Sequence, residues 1–275
     1  MDRKRRGLRD LEKTRKIVKR IIATLSLILL AACGQSKAGF KVAATPVPHA
    51  QMLEYIKPDL KAQGIDLVVI VTDDYNIPNR ALANKEVEAN FFQHIPFMEE
   101  QIKQFHYPIA SLAKIEIEPM GIYSKKIQSL SELEEGSVIG IPNDPTNEGR
   151  ALLLLQSEGL IRLDDSNNLS ATVLNIAENP KNLKFIEADA AMLPRSLDDV
   201  AAAVINTNYA LGAGLSPLKD ALALESKNSP YANIIAIRIG EDNRPEIQAL
   251  KAAMTSDKMR QFILDTYKGA VLPAF

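Results

Sequence analysis

The chain has 275 residues, with 33 Lys and Arg against 34 Asp and Glu, a formal charge of −1 and a single cysteine. That balance offers no basic patch for nucleic acid, and one cysteine excludes an internal disulfide. No internal repeat or low-complexity tract is present, and the chain is long enough to bury a sizeable core and to divide into two lobes.

Residues 1–20 hold ten Lys and Arg against three Asp and Glu, and Ile21 to Leu30 is nearly all apolar. A basic start, a short apolar stretch and small residues before a cut describe an export leader over 1–32. The apolar stretch is too short to span a bilayer comfortably. Leu30-Ala31-Ala32-Cys33 resembles a bacterial lipobox, which makes Cys33 the lipid-bearing first residue of the mature chain and 33–39 its tether. Without the leader 243 residues remain, and the formal charge moves from −1 to −8.

Phe40 to Ala44 reads as a strand, and Pro46 and Pro48 shape the loop that runs to His49. A helix is expected over about 50–63, closed by Gly64. Asp66 to Val71 is a strand, Thr72 to Pro78 a loop carrying Tyr75, and 79–84 a short helix. Residues 86–90 lead into Phe91, Phe92, Gln93 and His94, and 99–105 is helical. Strands follow at 111–117 and 122–124, then a short helix from Ser129. The strand Val138 to Ile141 enters a helix that Asp144 caps, Pro145 begins and Gly159 ends. Residues 167–182 are polar surface, 183–187 and 201–205 strands, and 190–197 a short helix. A strand at 231–239 and helices over 245–255 and 257–268 complete the chain.

This alternation argues an α/β fold with mostly parallel sheets, in two sets that divide near residue 122. The strand at Tyr231 returns the chain to the first set. Lobe 1 is then 40–121 plus 233–275 and lobe 2 is 122–232, joined by two hinge crossings around a cleft. Ligands of open α/β sheets sit beyond the carboxyl ends of the strands. His49, Tyr75, Phe92, His94, Asn147 and Asn206 fall at such ends.

The helix start at Asp144 is the strongest chemical signal. Its unpaired N–H groups favour an anion, Arg150 brings a planar fork that matches a carboxylate, and Asn147 shares its face. These residues alone fit an ordinary capped helix with a solvated Arg equally well. Phe92 and His94 share a side if the chain is extended. With Tyr75 and Phe97 they can wall an apolar pocket with a polar handle, or be core aromatics under a loop. Asn206, Asn208 and Asn233 follow or begin buried strands. An amide there can take an ammonium on its oxygen and a carboxylate on its nitrogen, or simply serve a turn.

Enzyme readings find less support. The three histidines show no metal-ligand spacing, no GxSxG elbow or phosphate-binding glycine loop is present, and no cysteine remains for thiolate chemistry. Neither a cofactor nor a metal is expected.

Pro142-Asn143-Asp144-Pro145-Thr146-Asn147-Glu148-Gly149-Arg150 followed by Ala151 to Leu155 closely resembles a signature of the NlpA lipoproteins, the methionine-binding proteins of bacterial methionine ABC importers. Matching stretches occur in order at 44–50, 89–94, 123–126, 178–183, 193–199, 203–210 and 229–233, so the resemblance covers 40–275. It implies a two-lobed periplasmic-binding-protein fold of the second type. It also implies a carboxylate partner at Arg150, polar contacts at Asn206 and Asn233, a helper at Asn147 and an aromatic wall of Tyr75, Phe92 and His94. Many members carry Tyr where this chain has Phe91. The implied function is that of a lipid-anchored envelope protein which captures methionine for an ABC permease and its ATPase subunit. L-methionine is the first choice of ligand, with D-methionine or a methionine-containing dipeptide as alternatives. An enzyme on the same fold, resembling the thiamine pyrimidine synthases with His94 as the reactive group, and a surface lipoprotein without a transport role are the other readings.

Overall fold

The computed structural model describes residues 39–226 and 229–275. The leader, Cys33 and residues 34–38 of the tether lie outside the described residues. The chain opens with β1 (Phe40–Ala44), an irregular helical turn over Pro46–Ala50, α1 (Gln51–Ala62), β2 (Leu67–Val71), α2 (Ile77–Ala83), β3 (Ala89–His94), α3 (Ile95–Phe105) and β4 (Ile109–Ile117). It continues through β5 (Gly121–Tyr123), β6 (Val138–Pro142), α4 (Pro145–Ser157), β7 (Arg162–Leu163), β8 (Ile176–Glu178) and β9 (Lys184–Ala188). Next come α5 (Leu193–Ser196), β10 (Ala202–Ile205), α6 (Thr207–Gly212), α7 (Pro217–Asp220) and β11 (Ala221–Leu224). The chain ends with β12 (Ala232–Arg238), α8 (Pro245–Met254), α9 (Asp257–Tyr267) and β13 (Leu272–Pro273).

The strands form two main sheets, in the orders β13-β4-β12-β3-β1-β2 and β11-β5-β10-β6-β9. The chain passes from the first to the second between β4 and β5, and returns between β11 and β12. The parallel pairing expected from the βα alternation is confined to β2-β1-β3 and β10-β6-β9. β12, β4, β13, β5 and β11 pair antiparallel. The reason lies in connectivity. A parallel neighbour needs a long crossover back to the starting end, and β4, β5, β11 and β12 instead lead to or from the other sheet.

The central strands β10 (AAVI) and β12 (ANIIAIR) are buried along their whole length, as strands covered on both faces must be. β3 is equally buried despite Asn90 and Gln93. Its amides close a ring with Asn79: Asn79 Nδ2 donates to Gln93 Oε1 at 2.7 Å, and Asn79 Oδ1 accepts from Gln93 Nε2 at 2.6 Å and Asn90 Nδ2 at 2.9 Å. Satisfied in this way, the polar atoms escape the penalty of unpaired burial.

Helices cover both sheets. Met52, Leu53, Ile56 and Leu60 recur at helical spacing on α1 and pack with Ile247, Leu250 and Met254 of α8 and Met259 and Ile263 of α9. On the second sheet, Ala151, Leu152, Leu154 and Leu155 of α4 lie against Ile139, Ile141 and Val204. Each fully buried Leu or Ile contributes about 1.5–3 kcal/mol, so α4 is held by its middle while its first turns remain available. Gly149 permits a further close approach, since a methyl group there would collide with the backbone carbonyl of Leu169.

Candidate functional site

The first turns of α4 are built as the sequence predicts. Asp144 caps the helix, accepting the Asn147 N–H at 3.0 Å. Its carboxylate also accepts from Asn147 Nδ2 at 3.0 and 2.9 Å, and from Thr146 Oγ1 at 3.1 Å. The Asn147 amide is thereby turned with Oδ1 outward, where it accepts from Asn206 Nδ2 at 2.9 Å and meets His94 Nε2 at 3.2 Å. His94 ends β3 and caps α3, its Nδ1 accepting the Phe97 N–H at 3.1 Å. That cap starts α3 at Ile95, ahead of the expected 99. An accepting Nδ1 puts the proton on Nε2, which donates to Asn147. Burial, with the charge of Arg150, pushes the His94 pKa down to about 3, so the ring is neutral. Both nitrogens are committed, which leaves His94 a poor proton shuttle and argues against it as a reactive group.

Tyr75, Phe92 and Phe97 form a three-ring wall with centroid separations of 5.7, 5.8 and 5.8 Å. Phe91 points the other way, into the first sheet's core, with its ring 4.5 Å from His49. The alternation along β3 thus sends Phe92 and His94 to the cleft.

Arg150 is 4% exposed. Its environment differs from the free fork expected. Nε donates to Glu225 Oε1 and Oε2 at 3.1 and 3.2 Å, Nη2 to Glu225 Oε2 at 2.6 Å and to the Glu118 carbonyl at 2.7 Å. Burial alone would lower the guanidinium pKa. The charge and hydrogen bonds of Glu225 more than offset it, so the pKa is raised and the cation is fixed. The bidentate edge is therefore occupied, because a cation this buried needs a counter-charge. Nη1 alone donates to nothing among the described residues. The plane of the guanidinium lies over Tyr231, 4.4 Å from the ring centroid.

One acceptor in the same cavity is unpaired. Asn206 Oδ1 is buried and has no hydrogen-bond partner among the described residues. Beside it Glu118, just past β4, is 5% exposed and accepts from Asn233 Nδ2 at 3.2 Å. Behind Glu118 lie His49 and Glu116. His49 Nε2 is 3.3 Å from a carboxylate oxygen of each glutamate, 3.2 Å from Asn233 Nδ2, and its Nδ1 is 2.6 Å from Thr45 Oγ1. Burial, and then the neighbouring Glu116, push the Glu118 carboxyl well above its usual range. Burial pushes Glu116 up to about 7 and holds the His49 pKa down. Both Glu116 oxygens lack a hydrogen-bond partner among the described residues. Among those residues, His49, Glu116 and Glu118 are the set whose ligating atoms lie within 4.8 Å of one another. An Asn233 amide hydrogen pointing into this set suits shared protons better than a cation.

All seven residues expected at the site, Tyr75, Phe92, His94, Asn147, Arg150, Asn206 and Asn233, line one cavity with Gln93, Phe97, Glu118, Thr207 and Asn208. A recess of about 890 Å³ adjoins it at Tyr75 and Phe97, lined by Asp74, Asn143, Asp144 and Asp189. Glu118 and Glu225 were not singled out from the sequence. Glu118 had a usable signal, a carboxylate at the carboxyl end of a strand that enters a crossing, whereas Glu225 had none.

The chain matches the NlpA lipoprotein family model over residues 40–275. It is 41% identical over 256 residues to the D-methionine-binding lipoprotein MetQ of Salmonella typhi, covering 91% of this chain and 94% of that one. It is 42% identical over 256 residues to the methionine-binding lipoprotein MetQ of Bacillus subtilis, covering 89% and 93%. Its fold superposes, with a TM-score of 0.83 and 46% identity, on a nutrient binding protein from Burkholderia cenocepacia bound to methionine, over 86% of this chain and all of that one. With the family model matched along the whole folded part and relatives above 40% identity, the chain belongs to the NlpA lipoprotein family.

Proposed function

We propose that this protein is a lipid-anchored substrate-binding protein of the cell envelope that captures methionine and delivers it to an ABC importer, a permease with its ATPase subunit. The observation that carries the reading is the composition of a single cavity: a fixed cation whose Nη1 is free, an unpaired acceptor at Asn206 Oδ1, the carboxyl of Glu118, and a ring wall. The carboxylate of a zwitterion meets Arg150 Nη1, its ammonium meets Asn206 Oδ1 and Glu118, and its thioether lies among Tyr75, Phe92 and Phe97. Asn147 and His94 hold the frame, and Asn233 orients Glu118. The methionine-bound relative supports the ligand class. The sheet memberships support two lobes hinged at the crossings between β4 and β5 and between β11 and β12. Cys33 supplies the anchor.

A micromolar affinity requires several charge-assisted bonds, at the carboxylate and the ammonium together, beside the side-chain pocket. A charge-assisted hydrogen bond contributes about 1.5–3 kcal/mol, burial of a Met-sized side chain about 1.5–3 kcal/mol, and sulfur against ring edges about 0.3–1.5 kcal/mol. After association costs of several kcal/mol, a micromolar complex needs about −8 kcal/mol. The test is calorimetric titration of ligand-stripped protein with L-methionine, D-methionine, a methionine dipeptide and alanine. L-methionine should bind at micromolar affinity or better, and Arg150→Ala should nearly abolish this while the circular dichroism stays native. No binding of either methionine enantiomer would refute the reading.

A further inference from the structure

The guanidinium of Arg150 stands where both crossings between the sheets meet. From the first crossing, the Glu118 carbonyl accepts from Nη2 at 2.7 Å. From the second, Glu225 takes Nε and Nη2, and Tyr231 stacks beneath the plane. Glu225 also ties the crossings to each other, its Oε2 accepting the Met120 N–H at 3.3 Å. Glu225 follows directly on β11, so its backbone is fixed by a sheet strand. Three of the five guanidinium hydrogens are consumed on one side, and the two on Nη1 remain.

We propose that Glu225 is a positioning residue for ligand recognition: it locks the Arg150 fork so that Nη1 alone faces the cleft, and it keeps Arg150 from pairing with the Glu118 carboxylate. The proposal rests on the reading of the cavity as a zwitterion site. Two opposing effects follow from removing the Glu225 charge. An unpaired cation should attract a ligand carboxylate more strongly. The same cation, however, already bonds the Glu118 backbone, and that residue's carboxyl lines the same cavity and interacts with it electrostatically. A buried cation left without a partner takes the closest anion available. Arg150 would then close on Glu118 and withdraw Nη1 from a ligand carboxylate, while Asn206 Oδ1 stays free to receive an ammonium. The second effect wins, because an internal ion pair forms without the entropic cost of binding a free ligand.

The test uses the mature protein with Glu225→Gln, nearly isosteric, and Glu225→Asp, which keeps the charge. L-methionine and L-methioninamide, which lacks the carboxylate, are titrated into each. The unmodified protein should prefer methionine by at least about 100-fold. Glu225→Gln should weaken methionine by about 10- to 100-fold with little change for the amide, and Glu225→Asp should recover part of the loss. Unchanged or tighter methionine binding in Glu225→Gln would overturn the proposal, as would an equal loss for both ligands. A ligand-free measurement separates the proposal from the identity of the ligand. The Nε–H resonance of Arg150 should be resolved and slow to exchange in the unmodified protein and lost to exchange in Glu225→Gln, and its persistence there would overturn the lock even if methionine proved the wrong ligand.

Discussion

The Tyr75 hydroxyl donates to Asn208 Oδ1 at 2.6 Å, joining the turn after β2 of the first sheet to α6 beside the second. A companion bond from the Tyr209 hydroxyl to the Asp73 carbonyl, 2.5 Å, runs the opposite way across the same gap. The two sides of the cleft at Tyr75 are thus held together by protein atoms. Tyr75→Phe keeps the ring and removes the first bond. A net hydrogen bond is worth about 0.5–1.5 kcal/mol, so methionine affinity should fall roughly 2- to 10-fold in a calorimetric titration. Tyr75→Ala, which also breaches the wall toward the outer recess, should cost more and admit bulkier side chains.

Phe92→Ala should weaken methionine far more than alanine or glycine, since the ring contacts a side chain that the smaller ligands lack. Loss of a buried aromatic costs about 3–5 kcal/mol of stability, so the comparison is made among ligands on the same folded variant. An equal loss across the three would place Phe92 outside the side-chain pocket.

Proton linkage follows from the paired acids. Burial raises the folded-state pKa of Glu116 to about 7, above the 4.5 of an ordinary glutamate. The folded protein therefore holds this proton more tightly than the unfolded chain. The resulting stability is fully present below about pH 4.5 and is lost as pH rises through 7. Glu116→Gln should flatten that slope in denaturant titrations between pH 5 and 8. Glu118, raised in the same direction, must ionise to receive an ammonium. Methionine binding near neutral pH should then release protons, seen as an enthalpy that varies with the ionisation heat of the buffer. Glu118→Gln should remove that dependence.

Gly149→Ala tests the close approach on α4. Helix propensity alone favours alanine by about 0.8–1.0 kcal/mol. The clash with the Leu169 carbonyl opposes it, and overpacking costs about 1–3 kcal/mol. The net should be destabilising, with a lower melting temperature. An unchanged or raised melting temperature would mean that the 165–171 segment yields freely.

Cys33→Ser should move the protein from the membrane fraction to the soluble envelope fraction. Retention in the membrane would show that the lipobox reading is mistaken.

What the sequence disclosed was mostly local. Asp144, Pro145 and the apolar run after them announce α4 because caps and periodicity are short-range signals, and its start carries the site. β3 was read only as a possible extended stretch because Asn90 and Gln93 look like surface residues until Asn79 is brought beside them. The antiparallel strands were hidden for a related reason: pairing sense depends on which sheet a strand joins. At the site, residue types were legible but their commitments were not. Arg150 lines the cavity, yet the fork that recommended it is held by Glu225, distant in the chain. His49, Glu116 and Glu118 become one group only through the fold.

Asn147 Oδ1 gives the closed form an all-or-none character. One oxygen serves both His94 from the first sheet and Asn206 from the second. The atom is aimed by Asp144, so it cannot follow either partner if the two draw apart. A molecule that props the cleft open by even an ångström forfeits the link to His94 and leaves a buried imidazole N–H without its acceptor. Ligands of slightly wrong size should therefore fail to close the protein, rather than close it partly.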